Sequence, residues 1–311
     1  MYRPLGDSEL HVSPLCLGGN VFGWTANQDE SFAVLDAYAD AGGNFIDTAD
    51  TYSSWVPGHI GGESESIVGD WLQRRGRRSE FVIATKVAKR PEFRGLAPFN
   101  IQTSVDGSLA RLKTDYIDLY YAHEDDETVP VADVLGAFTE LIAQGKVRYI
   151  AASNFSAARL AEALDVSQSL GLARYIAVQP HYNLLKRDEY EGALRDVCVA
   201  HDVACVPYFG LARGFLTGKY RDGLEVESAR AGGVTMYRND RGWRTLAALD
   251  EVAAAHGTSV AAVALAWVKA QPTVAAPIAS ARTLPQFVEI LPMQELTLLP
   301  DELSALAAAA S

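Results

Sequence analysis

A chain of 311 residues, 49% of them hydrophobic and with a mean hydropathy of +0.01, can bury a large core and close a barrel within one domain. Its 39 acidic against 27 basic residues leave a formal charge of −12, which argues against non-specific nucleic-acid binding and for a soluble cytoplasmic protein. Residues 1–10 hold no signal-type apolar run, and no stretch reaches membrane-span length. Cys16, Cys198 and Cys205 lack CxxC spacing, so buried thiols in a reducing compartment are expected rather than disulfides or a metal site.

Strand-like and helix-like runs alternate from end to end. Pro14 to Gly19 reads as a first strand and Glu30 to Ala41 as a helix stopped by Gly42. Phe45-Ile46 closes a second strand, followed by a helix over Glu63 to Arg75 that ends at Gly76. Phe81 to Lys86 is a third strand and Asn100 to Leu112 its helix; Tyr116 to Ala122 is a fourth, with a helix over Val131 to Ala143. Arg148 to Ala152, Tyr175 to Gln179 and Val203 to Pro207 follow as strands five to seven. Helices over Ala157 to Leu170 and Asp188 to His201 separate them. Thr273 to Ile278 is the eighth strand, and Leu284 to Leu291 and Asp301 to Ala310 are closing helices.

Apolar strands alternating with helices imply parallel βαβ units covered on both faces. Eight such units without a linker predict an α/β fold, a single-domain (β/α)8 TIM barrel over residues 1–311 with a C-terminal helix. A doubly wound sheet is the alternative, but Leu17-Gly18-Gly19-Asn20 is not the GxGxxG expected after its first strand. Phe209 to Arg241 is a long loop after strand seven, of the kind that forms lids or binding loops, or is disordered.

Barrel sites are built from residues at the C-terminal ends of strands. Those ends here carry Asp47 and Tyr52, Lys86, His123, Ser153 and Asn154, Gln179, and Tyr208. Asp47 is out of place for packing, because a buried carboxylate is costly without a partner. Lys86, closing the next strand, is the natural partner. Alone, His123 reads as a loop or core histidine and Lys86 as a snorkelling lysine. Four ionisable groups at three successive strand mouths are harder to assign to packing.

These residues lie in Asn44-Phe-Ile-Asp-Thr-Ala-Asp-Thr-Tyr52, Ala84-Thr-Lys-Val87, Asp118-Leu-Tyr-Tyr-Ala-His123 and Ala152-Ser-Asn-Phe155. With Gly145 to Ile150, Gln179-Pro-His-Tyr-Asn183 and Leu211-Ala-Arg-Gly-Phe-Leu-Thr-Gly-Lys-Tyr220, they run through the whole chain. In that order and spacing they resemble the aldo-keto reductases. The resemblance implies a catalytic tetrad of Asp47, Tyr52, Lys86 and His123. The chemistry suits it: Tyr52 donates a proton to a nascent alkoxide, and a cationic Lys86 is expected to lower the usual phenol pKa of about 10. Asp47 would balance the lysine and His123 would orient the carbonyl oxygen.

The tetrad holds no redox group, so a hydride source is needed; by resemblance it is NADPH/NADP+, with NADH second. Ser153, Asn154 and Gln179 would bind its carboxamide and Tyr208 would stack on its ring. The resemblance extends to Gly19 and, for the pyrophosphate, to Leu211, Arg213, Gly214, Leu216 and Lys219. Ser280 and Arg282, before a helix start, suit a 2′-phosphate, with Gln286 and Glu289 towards the adenine. Phe209-Gly210 stands where many relatives have Ser-Pro, and Ile290 where they often have Asn. Trp24 and Trp55 are candidate walls of an apolar substrate pocket, ahead of Phe209, Tyr237 and Trp243. The expected activity is NADPH-dependent reduction of a small-molecule aldehyde or ketone, without nucleic-acid or membrane partners. One alternative is an NADP(H)-binding regulatory subunit, since potassium-channel β subunits share this fold and tetrad; the absence of a long N-terminal extension counts against it. The other is an NAD-dependent sugar dehydrogenase running in reverse.

Overall fold

A computed structural model of the chain describes residues 2–224, 226 and 231–311, so part of the 220–244 insertion lies outside the described residues. A short antiparallel hairpin, β1 (Arg3–Pro4) and β2 (His11–Val12), precedes the main sheet. The sheet then takes one strand from each βα unit: β3 (Cys16–Gly18), β4 (Phe45–Asp47), β5 (Val82–Val87), β6 (Ile117–Ala122), β7 (Val147–Ser153), β8 (Tyr175–Gln179), β9 (Ala204–Cys205) and β10 (Ile278–Ala279). Every neighbouring pair is parallel, in the order β10-β3-β4-β5-β6-β7-β8-β9. Closure comes from a bridge between Cys205 and Val274 and from the Ile278 N–H donating to the Pro207 carbonyl at 2.9 Å. The eight strands make a (β/α)8 barrel.

Side chains alternate between the two faces of each strand, and this places the site. Phe45, Ala84, Leu119, Tyr121 and Ala177 form the barrel interior, whereas Ile46, Ile83, Tyr120 and Val178 belong to the layer under the helices. Asp47 shares the parity of Phe45, and Lys86 that of Ala84, so both point inwards at the C-terminal mouth. At the other mouth the hairpin residues Leu5, Leu10 and Val12 fill the interior.

The outer helices are α1 (Gln28–Asp40), α2 (Glu63–Arg75), α3 (Pro98–Leu112), α4 (Val131–Ala143), α5 (Ala157–Leu170), α6 (Ala193–Ala200), α7 (Asp240–His256), α8 (Val260–Lys269), α9 (Leu284–Ile290) and α10 (Pro300–Ala309). None among the described residues is long and apolar enough to cross a membrane alone. α2, α4, α5 and β8 keep their expected bounds residue for residue. Three expectations need correcting. The helix expected from Asp188 begins only at Ala193, because Gly192, at φ +93°, breaks the run. The eighth strand pairs with β3 only at Ile278 and Ala279; Thr273 at φ +63° and Pro277, which has no N–H, keep the preceding residues out of the ladder. Helices α7 and α8, between the long loop and the last strand, were not anticipated, although Asn239 and Ser259 cap them and Gly257 ends α7.

Candidate active site

Lys86 is fully buried and spends its ammonium donors on Asp47 Oδ2 (2.6 Å), the Thr48 carbonyl (2.7 Å) and the Tyr52 hydroxyl (2.8 Å). Tyr52 in turn donates to Asp47 Oδ2 at 3.1 Å, and Gln179 Nε2 donates to Asp47 Oδ1 at 3.0 Å. Every polar atom of this buried cluster is matched, as a charge taken out of water requires. The His123 ring stands edge-on to Tyr52, with centroids 6.1 Å apart, and its Nδ1 is buried with no hydrogen-bond partner among the described residues.

The electrostatics alter the sequence expectation at Tyr52. Burial, and then the Asp47 carboxylate, push the phenol well above its ordinary pKa, the reverse of the lowering expected from Lys86. The resting phenol is therefore protonated near neutral pH. Burial likewise pulls Lys86 down, with Asp47 opposing. Burial, with Lys86 and Lys89 adding to it, drives His123 well below the usual imidazole value, so it is neutral. A neutral imidazole can still donate one hydrogen bond to a carbonyl oxygen.

A second buried acid sits under this cluster. Asp50, fully buried beside Glu65, is raised to about 8 by burial first and Glu65 second. Against an unfolded value of about 3.9, the folded protein binds this proton more tightly. Stability from this group is thus full below about pH 4 and lost as pH rises through 8. Asp50→Asn should flatten that slope, raising the urea midpoint at pH 8 relative to wild type more than at pH 5. An unchanged slope would remove Asp50 from the account.

Above the cluster opens a cavity of about 830 Å³, within the range of small-molecule sites of roughly 300–1,000 Å³. Asp47, Tyr52, His123, Ser153, Asn154, Gln179 and Tyr208 line it from the strand ends. Asn154 joins three of these: it donates to the His123 carbonyl (2.8 Å) and to Ser153 Oγ (3.0 Å), and accepts from the Tyr208 hydroxyl (2.8 Å). The segment after β9 contributes Leu211, Arg213, Gly214 and Lys219. There Ala212 and Arg213 hold positive φ of 48° and 59°, a strain typical of ligand clamps, and Arg213 stacks over the Phe209 ring at 4.6 Å. Beyond β10 come Ser280, Arg282, Gln286 and Glu289. Gln286 Oε1 accepts from the Arg282 N–H at 3.1 Å, and Ser280 donates to Asn20 at 2.6 Å.

The family model for the aldo/keto reductase family matches residues 14–311. The chain belongs to the aldo/keto reductase family. It is 32% identical to norsolorinic acid reductase B of Aspergillus parasiticus over 328 aligned positions, which cover 98% of this chain and 83% of that protein. A probable voltage-gated potassium channel subunit beta of Oryza sativa is 34% identical over 93% of this chain and 89% of its own length. An aryl-alcohol dehydrogenase [NADP(+)] of Phanerodontia chrysosporium is 28% identical over 96% and 82%. As an aldo/keto reductase the chain is an oxidoreductase acting on carbonyl or alcohol groups, in a family that generally uses a nicotinamide cofactor.

The donors present fit that group. Arg213, Lys219 and Arg282 bring three cations to one cavity of a chain with a net charge of −12, which suits phosphates. Of the residues expected in this aldo/keto reductase site, Lys86, Gly19, Leu216 and Trp24 do not line the cavity; Lys86 lies fully buried beneath it, behind Asp47 and Tyr52. Gly19 lies behind it, its N–H donating to the Asp47 carbonyl at 2.7 Å, and a Cβ there would meet Ser64 Oγ at 2.8 Å. Leu216 is in the core, and Trp24 packs edge-on to Trp55 at 5.5 Å. Trp55 does line the cavity, as does Phe209; Tyr237 and Trp243 pack on Phe215 instead. The sequence reading missed Asn20, Lys89 and Ser259, which also line it. Ser259 carried a signal as a helix cap; Asn20 and Lys89 carried none in sequence.

Proposed function

We propose that the protein reduces aldehydes or ketones to alcohols with NADPH in the cytoplasm, Tyr52 being the acid. The observation that carries this reading is one buried cluster, Asp47, Lys86 and Tyr52, at the floor of a cavity that Tyr52 and His123 share with a cation-rich rim. The nicotinamide, when bound, supplies hydride to the carbonyl carbon. Tyr52 gives its proton to the carbonyl oxygen, and the 2.8 Å bond from Lys86 then stabilises the phenolate that remains. Asp47 keeps Lys86 charged and in place, and His123 polarises the carbonyl by donating to its oxygen. Ser153, Asn154 and Gln179 would hold the carboxamide. Gln179 commits one N–H of its Nε2 to Asp47, so its oxygen and its second N–H are the groups left for a ligand.

Preference for the 2′-phosphate rests on Arg282, whose planar fork suits phosphate oxygens. Arg282→Leu should weaken NADPH roughly 10- to 100-fold, the effect of losing a charge-assisted bond of about 1.5–3 kcal/mol, while changing NADH little. Titration calorimetry with both cofactors reads this; tighter NADH than NADPH in the wild type would overturn it. The likeness to a potassium-channel β subunit supports a second reading, a cofactor-binding subunit with little turnover. Steady NADPH oxidation with an activated benzaldehyde favours the enzyme, and tight NADPH binding without turnover favours the subunit.

A further inference from the structure

Beside the main cavity lies a smaller chamber of about 410 Å³. It shares Tyr52, Trp55, Lys89 and His123 with the larger one and adds Thr51, Arg94 and Glu124. A carbonyl held by Tyr52 and His123 has the proposed nicotinamide contacts in the larger cavity. The remainder of the substrate therefore has the small chamber to occupy. One wall of that chamber is the Trp55 ring, 48% exposed, with centroids 6.2 Å from Tyr52, and Trp24 braces it from behind. Across from it Lys89 and Arg94 face a single carboxylate, Glu124, at 3.4 and 3.8 Å. Two cations against one anion leave a local positive surplus in a chain of net charge −12.

That surplus is built into the backbone. After β5 the buried Ala88 takes φ +108°, a conformation that costs a residue with a Cβ about 1–3 kcal/mol and persists only where the surroundings enforce it. The turn it makes is closed by the Gly95 N–H donating to the Ala88 carbonyl at 2.8 Å and by a bridge between Ala88 and Arg94. Asp126 then fixes the exit by accepting from the Leu96 N–H at 2.9 Å. The chain so folded brings Lys89 and Arg94, five positions apart, to one edge of one chamber. Lys89 also acts on the reacting end, being among the charges that lower the His123 pKa.

We propose that this chamber takes the body of an aromatic aldehyde or ketone that carries a carboxylate, with its ring against Trp55 and its anion on Lys89 and Arg94. The proposal rests on Tyr52 and His123 holding the carbonyl. The redox step is the one already given: NADPH, when bound, would supply the hydride, Tyr52 gives its proton to the carbonyl oxygen, and the phenolate left on Tyr52 takes a proton back from water before the next turnover.

The test is the ratio of kcat/KM for 4-carboxybenzaldehyde to that for 4-formylbenzamide, a neutral molecule of nearly the same shape, with NADPH. The expected ratio in the wild type is about ten, equivalent to one charge interaction of about 1.4 kcal/mol, and it shrinks with added salt. Lys89→Met and Arg94→Met should each bring the ratio towards one, and Glu124→Gln should raise it. A wild-type ratio of one or less overturns the proposal while leaving the reductase reading intact. Independently of turnover, benzoate should bind the complex with NADP+ about tenfold tighter than benzamide by calorimetry, and Lys89→Met should abolish the difference. Selective benzoate binding without reduction of either aldehyde would support the chamber and sink the reductase. Equal binding of benzoate and benzamide would sink the chamber.

Discussion

Tyr52→Phe should lower kcat for aldehyde reduction by about 10²- to 10⁴-fold, the usual contribution of a positioned general acid. The ring stays, and with it the packing against Trp55 and His123, so only the hydroxyl is lost. That hydroxyl accepts from Lys86 and donates to Asp47, and Phe leaves both partners with other bonds: Lys86 keeps Asp47 and the Thr48 carbonyl, and Asp47 keeps Lys86 and Gln179. The fold and the cavity rim should therefore survive, and NADPH should bind with nearly unchanged affinity. Stopped-flow reduction alongside cofactor titration separates the two effects. A Tyr52→Phe variant with wild-type turnover would show that the proton comes from elsewhere.

Lys86→Met has the opposite profile, since it removes activity and stability together. It leaves the Asp47 carboxylate, 1% exposed, without its counter-charge, and a broken buried pair costs about 3–5 kcal/mol. Replacing both members, Asp47→Leu with Lys86→Met, removes the uncompensated charge and should recover much of the stability while activity stays lost. Urea unfolding of the wild type, both single variants and the double variant gives the coupling directly. If Lys86→Met unfolded at the wild-type midpoint, the buried pair would have no part in stability.

The elements written plainly in the sequence are those whose boundaries are chemical. α2 ends at Gly76 and α5 at Gly171, both left-handed glycines, and α5 starts at a Ser156 cap. The clustering of Asp47, Tyr52, Lys86 and His123 was legible for a related reason, because ionisable residues closing apolar strands have few structural explanations. α7 was masked by its own first turn, Asp240-Arg-Gly-Trp243, which continues the polar character of the loop before it. Other parts depend on conformations that residue types do not announce. Positive φ at Ala212 and Arg213 shapes the cavity rim, and Ala88 at φ +108° brings Lys89 to Arg94; neither could be read from alanine or arginine in a string. The direction of the Tyr52 pKa was likewise a matter of burial. Lys86 and Asp47 were both foreseen as its neighbours, but the sequence held no measure of how fully water is excluded from them.

The hairpin at the closed end of the barrel bears on how the protein is made. Arg3 donates to the carbonyls of Lys269 and Val274 at 3.2 Å each, the latter across 271 positions of chain. Leu5 and Leu10 belong to one buried cluster with Val206 and Ala276 among others. During synthesis at about 5–20 residues per second, residues 3–12 therefore wait roughly 15–50 s for the partners that will hold them. Until then Leu119, Ala151 and Ile176, members of the same cluster, lack part of its apolar complement. The residues that emerge ahead of the barrel are thus among the last to find their places in it.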